Sequence, residues 1–270
     1  MTDPEPAPAP TAEPARGAEH WARAVSRLSV SNMPKGAVDH NVTGRRLAGP
    51  VQGFGKMWQK TYRTALPRDR VSAAELIATW RRDFSDFWPA GAHFYAPLTG
   101  LAPGEVAILS MSLPGRVNLS TGVMVLYADE ESFTLMTPQG HMFAGWITFS
   151  ATERGEETVA QAQVLMRASD PVFELALVCG GHRQEDRFWE RTLTAVAARF
   201  GHAAVVDTQV VCVDTRRQWS RWGNVRHSSV IGSARYMVTA PLRAATRSRT
   251  RPPVPAAPTA PGHAPPPTDG

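Results

Sequence analysis

The chain has few cysteines, no long apolar run and no segment typical of a signal peptide. Its 270 residues include two cysteines, Cys179 and Cys212, which do not form a CxxC motif. Two isolated thiols are typical of a reducing compartment, and they exclude a zinc site built mainly from cysteine. No apolar run approaches the roughly 18 residues that a membrane-spanning helix needs, and no apolar segment follows a basic N-terminus. We therefore expect a cytoplasmic protein that neither spans a membrane nor is secreted.

The sequence also lacks the motifs by which many enzymes are identified. The patterns GxSxG, HExxH and GxGxxG do not occur. Segment 49–56 departs from a phosphate loop, because Pro50 stands where that loop needs glycine and Met57 replaces its Ser or Thr. These absences predict no metal, no cofactor and no identifiable catalytic residue. They leave open whether the protein catalyses a reaction.

Proline and alanine replace large apolar side chains at both ends of the chain. Such segments bury too little apolar surface to offset the entropy of ordering them, so they are predicted to be disordered. The sequence therefore divides into a disordered or weakly helical N-terminal tail (1–30), a folded domain (31–204), an extension rich in Arg and Trp (205–245) and a disordered Pro-rich tail (246–270).

Acidic residues are absent from the basic arm, which we define as residues 215–251. This arm contains nine of the 29 basic residues, which leaves 20 basic against 24 acidic residues elsewhere. Two of its tryptophans alternate with arginines, and the candidate contacts with an anionic surface are Arg216, Arg217, Trp219, Arg221, Trp222 and Arg226. Such a segment favours an anionic membrane surface ahead of nucleic acid as its partner. An extension whose tryptophans dock back onto the domain would have the same composition.

The middle of the chain changes from helical to strand periodicity. Ser72 and Glu75 form a capping box, and the helix that follows has one apolar stripe at Leu76, Trp80, Phe84 and Phe87. Five strand-like segments joined by short turns follow, at 105–113, 121–128, 132–138, 141–152 and 157–168. Short connections favour antiparallel pairing, so these segments predict a curved meander.

Two helices are predicted after the meander. Asp170 and Pro171 are typical of a helix start, and the glycine pair 180–181 ends that helix. A longer helix over 183–200 then places one apolar stripe at Trp189, Leu193, Val196 and Phe200. This stripe can cover the concave face of the sheet.

The first turn of the long helix concentrates polar residues. His182, Glu185 and Asp186 lie at i, i+3 and i+4, so they share a helix face and could bind a divalent metal. A mononuclear site needs further ligands, and no HExxH or HxH motif supplies them. Acidic residues in a first turn also interact favourably with the helix dipole. We therefore interpret the cluster as a helix start rather than a metal site.

The order of these elements resembles the helix-grip fold of the START-like, polyketide-cyclase-like (SRPBCC) superfamily. Segment 60–89 looks like its first strand and following helices, and segment 180–201 looks like its C-terminal helix. Segment 120–151 is similar to an uncharacterised bacterial branch. The resemblance implies an α+β fold in which a curved antiparallel sheet wraps around a long C-terminal helix, with a hydrophobic cavity between them. It implies no catalytic residue, because the superfamily shares no catalytic motif.

Six residues of the predicted strands and closing helix are candidates for the wall of that cavity: Leu109, Met111, Met136, His141, Trp146 and Trp189. Methionine and tryptophan suit a pocket that adapts to an apolar ligand, although a packed core without a cavity has the same composition. His141 follows a turn and is expected at a strand end. There it is either a rim histidine that orients a ligand or moves a proton, or a surface turn residue.

These observations favour a non-enzymatic protein that binds a hydrophobic small molecule or lipid. One alternative is a cyclase/aromatase-type enzyme that acts on a poly-carbonyl substrate, with His141 moving protons. Another is a nucleic-acid or membrane-surface binding protein that acts through the basic arm.

Overall fold

The computed structural model describes residues 17–31, 33–34, 36–113 and 117–239. The predicted tail 246–270 and most of the predicted tail 1–30 lie outside these residues. The strands are β1 Met57–Pro67, β2 Ala92–Tyr95, β3 Val106–Leu113, β4 Val117–Ala128, β5 Ser132–Met136, β6 Phe143–Arg154, β7 Glu157–Ala168 and β8 Asp207–Asp214. The α-helices are α1 Ala73–Arg82, α2 Pro171–Ala176, α3 His182–Arg199 and α4 Ser229–Val238.

Eight strands form one curved antiparallel sheet in the order β2-β3-β4-β5-β6-β7-β1-β8. The five strands from β3 to β7 are the predicted meander, and β1 closes onto its end by pairing with β7 from Trp58 to Pro67. Helices α1 and α3 pack on the concave face. The chain therefore has the α+β, helix-grip fold that its sequence resemblance implied, with α3 as the gripped helix.

The helix starts follow the capping residues that the sequence indicated. The Ser72 hydroxyl accepts a hydrogen bond from the Glu75 amide at 3.2 Å, which satisfies one of the free donors in the first turn of α1. The Asp170 carboxylate likewise accepts from the Val172 and Phe173 amides at the start of α2. Between α2 and α3 the chain kinks within Leu177–Gly181, where Cys179 and Gly180 depart from helical backbone angles and Gly180 has a φ of 114° that favours glycine.

The main core lies between the concave face of the sheet and the two helices. Trp80 and Phe84, on the apolar side of α1 and the 3-10 turn after it, contact Phe133 and Phe149 of the sheet at ring distances of 5.0–6.3 Å. The buried stripe of α3 completes this core with Leu193, Val196 and Ala197. Because side chains alternate along a strand, the neighbours of these sheet residues point to the convex face.

A second, smaller core covers the convex face. Leu28 and Val42 pack there against Val106, Ile108 and Met124. The segment before β1 thus belongs to the folded structure from about residue 20 onward, since Trp21 forms a bridge with Tyr127.

The C-terminal extension docks onto the domain through β8 and α4. Strand β8 pairs with β1 and forms one edge of the sheet. Behind it, the buried Arg167 guanidinium donates to the Arg216 carbonyl at 2.8 Å and pairs with Asp214. Helix α4 packs on β4, where Gly232 lies so close to Asn41 that an added Cβ would be 2.0 Å from the amide oxygen.

Candidate functional site

A cavity of about 530 Å³ lies between the concave face of the sheet, α2 and one side of α3. This volume is within the range of roughly 300–1,000 Å³ that is typical of small-molecule pockets. Its wall is mostly apolar and includes Leu109 and Met111 of β3, Phe143 and Ile147 of β6, and Phe188 of α3. The segment 88–91 forms part of the wall beside α3.

Five of the six predicted wall residues line this cavity: Leu109, Met111, His141, Trp146 and Trp189. The indole of Trp146, however, lies on the convex face with Leu126, Thr134 and Thr148. Met136 pairs with Trp146 across the strands and is not part of the cavity wall among the described residues. The structure therefore places Met136, a candidate for the cavity wall, outside the wall of this cavity. Both faces of β6 are apolar, so alternation alone did not identify the concave one.

His141 lies in the wall and is buried rather than at the surface of a turn. It is 5% exposed, and burial lowers the pKa of its imidazole to about 4, so the ring is neutral near pH 7. Its Nδ1 lies 3.0 Å from the Phe143 amide and 3.2 Å from the Phe143 carbonyl, so Nδ1 accepts from the amide in one tautomer and donates to the carbonyl in the other. Nε2 has no hydrogen-bond partner among the described residues and can donate to a ligand or accept from it, according to the tautomer.

The polar cluster at the start of α3 is a buried ion network at the cavity wall. The Lys60 ammonium, 0% exposed, lies 2.9 Å from Glu185 Oε2 and 2.7 Å from Asp186 Oδ1. The Tyr62 hydroxyl donates to the same Asp186 oxygen at 2.7 Å. The cluster is indeed at a helix start, as predicted, but its acids are bound to the sheet instead of being solvated.

The Glu185 carboxyl group of this network has an unusually high pKa. Burial raises the pKa of Glu185 to about 7, although the nearby Lys60 opposes the shift. Glu185 lines the cavity, so a group that exchanges a proton near neutral pH stands at its wall. The sequence contained one signal for this pairing. Lys60 alternates with Tyr62 and Leu66 on the face of β1 that the core covers, and a buried lysine needs an acidic partner.

The basic arm places its candidate residues on the outside, next to α2. Trp219 is 71% exposed and Trp222 is 60% exposed, although the Trp219 ring also contacts Phe54 edge-on. Arg217 pairs with the buried Glu174 of α2 at 2.8 Å, while Arg216, Arg221 and Arg226 are exposed. In the part of the arm that the structure describes, the backbone docks on the domain while both tryptophans remain largely at the surface.

No group of three or more metal-ligating side chains is present in the described part of the chain. No helix among the same residues is long and apolar enough to cross a membrane. His182 does not contribute to a metal site there, and its ring packs edge-on against Trp58 at 4.8 Å.

No protein-family model and no curated protein matches the chain. Among solved structures, it is similar to a START superfamily protein from Mycobacterium smegmatis, with 20% identity over 54% of this chain and 98% of that one (TM-score 0.37). It is also similar to the di-domain ARO/CYC StfQ from the steffimycin biosynthetic pathway, with 13% identity over 53% and 52% of the two chains (TM-score 0.38). Ginseng major latex-like protein 151 from Panax ginseng has 13% identity over 54% and 99% (TM-score 0.35).

Proposed function

We propose that the protein binds a hydrophobic small molecule or lipid in the cavity beside α3. The observation that carries this proposal is a cavity of about 530 Å³ whose wall is built mainly from apolar and aromatic side chains. Apolar surface of this kind gains free energy when a ligand removes it from water, at roughly 25 cal/mol per Å². A few polar groups in such a wall orient a ligand, and His141 Nε2 is one of them.

Blocking the cavity tests this proposal. Met111 is half-buried in the wall, so Met111→Trp should fill part of the cavity without removing a core side chain. The variant is expected to lose at least ten-fold in affinity for the uncharged fluorescent dye N-phenyl-1-naphthylamine, measured by titration. Leu98→Trp adds the same side chain at a position that is 76% exposed and should leave dye binding unchanged. Equal dye binding by both variants, or none by the unmodified protein, would contradict the proposal.

The basic arm is proposed to bring the cavity to an anionic lipid surface. Leu175 on the outside of α2 and Val178 in the kink that follows it are 64% and 65% exposed. The arm packs against α2 and adds exposed Trp219 and Trp222 with the surrounding arginines. Exposed tryptophan beside arginine is typical of a membrane interface, and α2 also contributes to the cavity wall.

Vesicle sedimentation tests whether the basic arm binds an anionic lipid surface. Trp219→Ser/Trp222→Ser should weaken binding to phosphatidylserine-containing vesicles several-fold, and neutral phosphatidylcholine vesicles should bind poorly in every case. Retention of the dye signal in this variant shows that the fold is intact. Unchanged vesicle binding, or preferential binding to a DNA or RNA duplex, would refute this use of the arm.

An enzymatic role is the second candidate, because two groups able to move protons line one cavity. His141 offers Nε2, which has no protein partner among the described residues, and Glu185 titrates near neutral pH. A cyclase-type reaction on a poly-carbonyl substrate would use such a pair. His141→Ala should then abolish turnover of a poly-β-ketone while the dye still binds, whereas a carrier shows no turnover in either form.

A further inference from the structure

One stripe of α3 is unusually basic where it borders the cavity. Gln184, Arg187, Phe188 and Arg191 lie at i, i+3, i+4 and i+7, so they share one side of the helix. All four contribute to the cavity wall. Phe188 is half-buried against Trp88, while Gln184 and both arginines are exposed. The stripe therefore passes from an apolar interior to a rim with two guanidinium groups.

Neither rim arginine forms an ion pair within the part of the chain that the structure describes. The acids closest to them in α3 are engaged elsewhere, since Glu185 and Asp186 bind Lys60 and Glu190 accepts from Thr208. By contrast, Arg199 at the end of the same helix pairs with Asp83 at 3.1 Å. Like charges at i and i+4 disfavour a helix, so Arg187 and Arg191 carry an unfavourable interaction that an anion between them would relieve.

The interior of the cavity disfavours a negatively charged group on the ligand. Its buried acid, Glu185, already shares one lysine with Asp186, so a second anion at that depth would lack a counter-ion. The wall around Phe143 and Leu109 is mostly apolar, and the neutral His141 in it provides no positive charge to balance an anion. An acidic group on the ligand is therefore favoured at the rim and disfavoured inside.

We propose that the ligand is an amphipathic anion whose apolar body fills the cavity and whose acidic head group lies between Arg187 and Arg191. This inference rests on the proposed function, since it requires a cavity that binds apolar molecules. Guanidinium groups bind carboxylate and phosphate with the same paired donors. The head group is therefore defined here as an oxyanion of either kind.

Competition between ligands of nearly equal apolar length tests the head group. In this assay decanoate, decyl phosphate and uncharged decanol each compete with bound N-phenyl-1-naphthylamine, with the anions below their micellar concentrations and decanol below its solubility limit. We expect decanoate or decyl phosphate to displace the dye at a concentration at least ten-fold lower than decanol does, as one charge-assisted contact predicts. Raising the salt concentration should weaken the binding of both anions and leave the binding of decanol unchanged.

Two double variants with the same change in net charge identify the residues responsible. In Arg187→Gln/Arg191→Gln the ratio of the decanol concentration to the anion concentration that displaces the dye should fall to about one, while decanol still displaces the dye. Arg154→Gln/Arg183→Gln, at exposed positions outside the cavity wall, should keep the preference.

The outcomes separate this inference from the proposed function. Failure of the dye and of all three competitors to bind overturns the cavity proposal itself. Equal displacement by decanol and both anions, or a preference that survives in Arg187→Gln/Arg191→Gln, overturns the head-group assignment alone. A higher affinity for decanoate or for decyl phosphate identifies the oxyanion, and either result supports the proposal.

Discussion

Replacing Lys60 with methionine tests the buried ion network directly. The Lys60 side chain is 0% exposed, and its two partners are Glu185, 6% exposed, and Asp186, 23% exposed. Methionine retains the apolar stem but leaves both carboxylates without their cation. Removing one member of a buried pair costs about 3–5 kcal/mol, which for a chain of this size lowers the Tm by roughly 6–20 °C.

The free energy of unfolding that Lys60→Met loses should depend on pH. Below pH 6 most Glu185 side chains are already protonated in the native protein, so the variant loses chiefly the pair with Asp186. At pH 8 Glu185 must either carry an uncompensated charge or take up a proton against the solution pH. Urea unfolding at pH 5.5 and pH 8 measures the difference. A loss below 1 kcal/mol at pH 8, or the same loss at both pH values, would refute the network as described.

Two further predictions concern neighbouring features. Glu185 has a native pKa raised from 4.5 to about 7, so its contribution to stability is complete below pH 4.5 and is lost as the pH rises through 7. In Glu185→Gln the free energy of unfolding, measured by urea titration, should therefore depend less on pH over this range. An unchanged pH dependence would contradict the raised pKa of Glu185. Gly232→Val should undock α4, because its side chain would overlap Asn41. Limited proteolysis should then cleave after β8, and dye binding should weaken because Val230 of α4 lines the cavity. Resistance to the protease equal to that of the wild type would show that α4 accommodates the change.

The sequence predicted the elements that have a strong local pattern. The five segments between 105 and 168 alternate and end in turn residues, and Ser72 and Asp170 cap the helices that they precede. Strand β2 has four residues, too few to show a period, and β8 was interpreted together with the arginine-rich segment that follows it. Their positions are set by pairing with β3 and β1, which local patterns do not encode.

The candidate site was harder to predict for the same reason. The contact between Lys60 and Asp186 joins residues 126 positions apart, and each residue alone is ordinary in its element. Whether a cavity exists depends on how far α2 and α3 stand from the sheet, which apolar periodicity does not determine. The cluster beginning at His182 was correctly placed at a helix start. That placement did not reveal that Glu185 faces a buried lysine and Arg187 borders a cavity.

Native mass spectrometry of the protein as purified from cells tests whether a ligand occupies the cavity beside α3. We expect a population heavier than the polypeptide by the mass of an apolar or amphipathic small molecule, released by gentle activation. The same population should be absent from Met111→Trp and present in Leu98→Trp. The polypeptide mass alone in all three proteins, or an adduct that Met111→Trp retains, would contradict a ligand in the cavity beside α3.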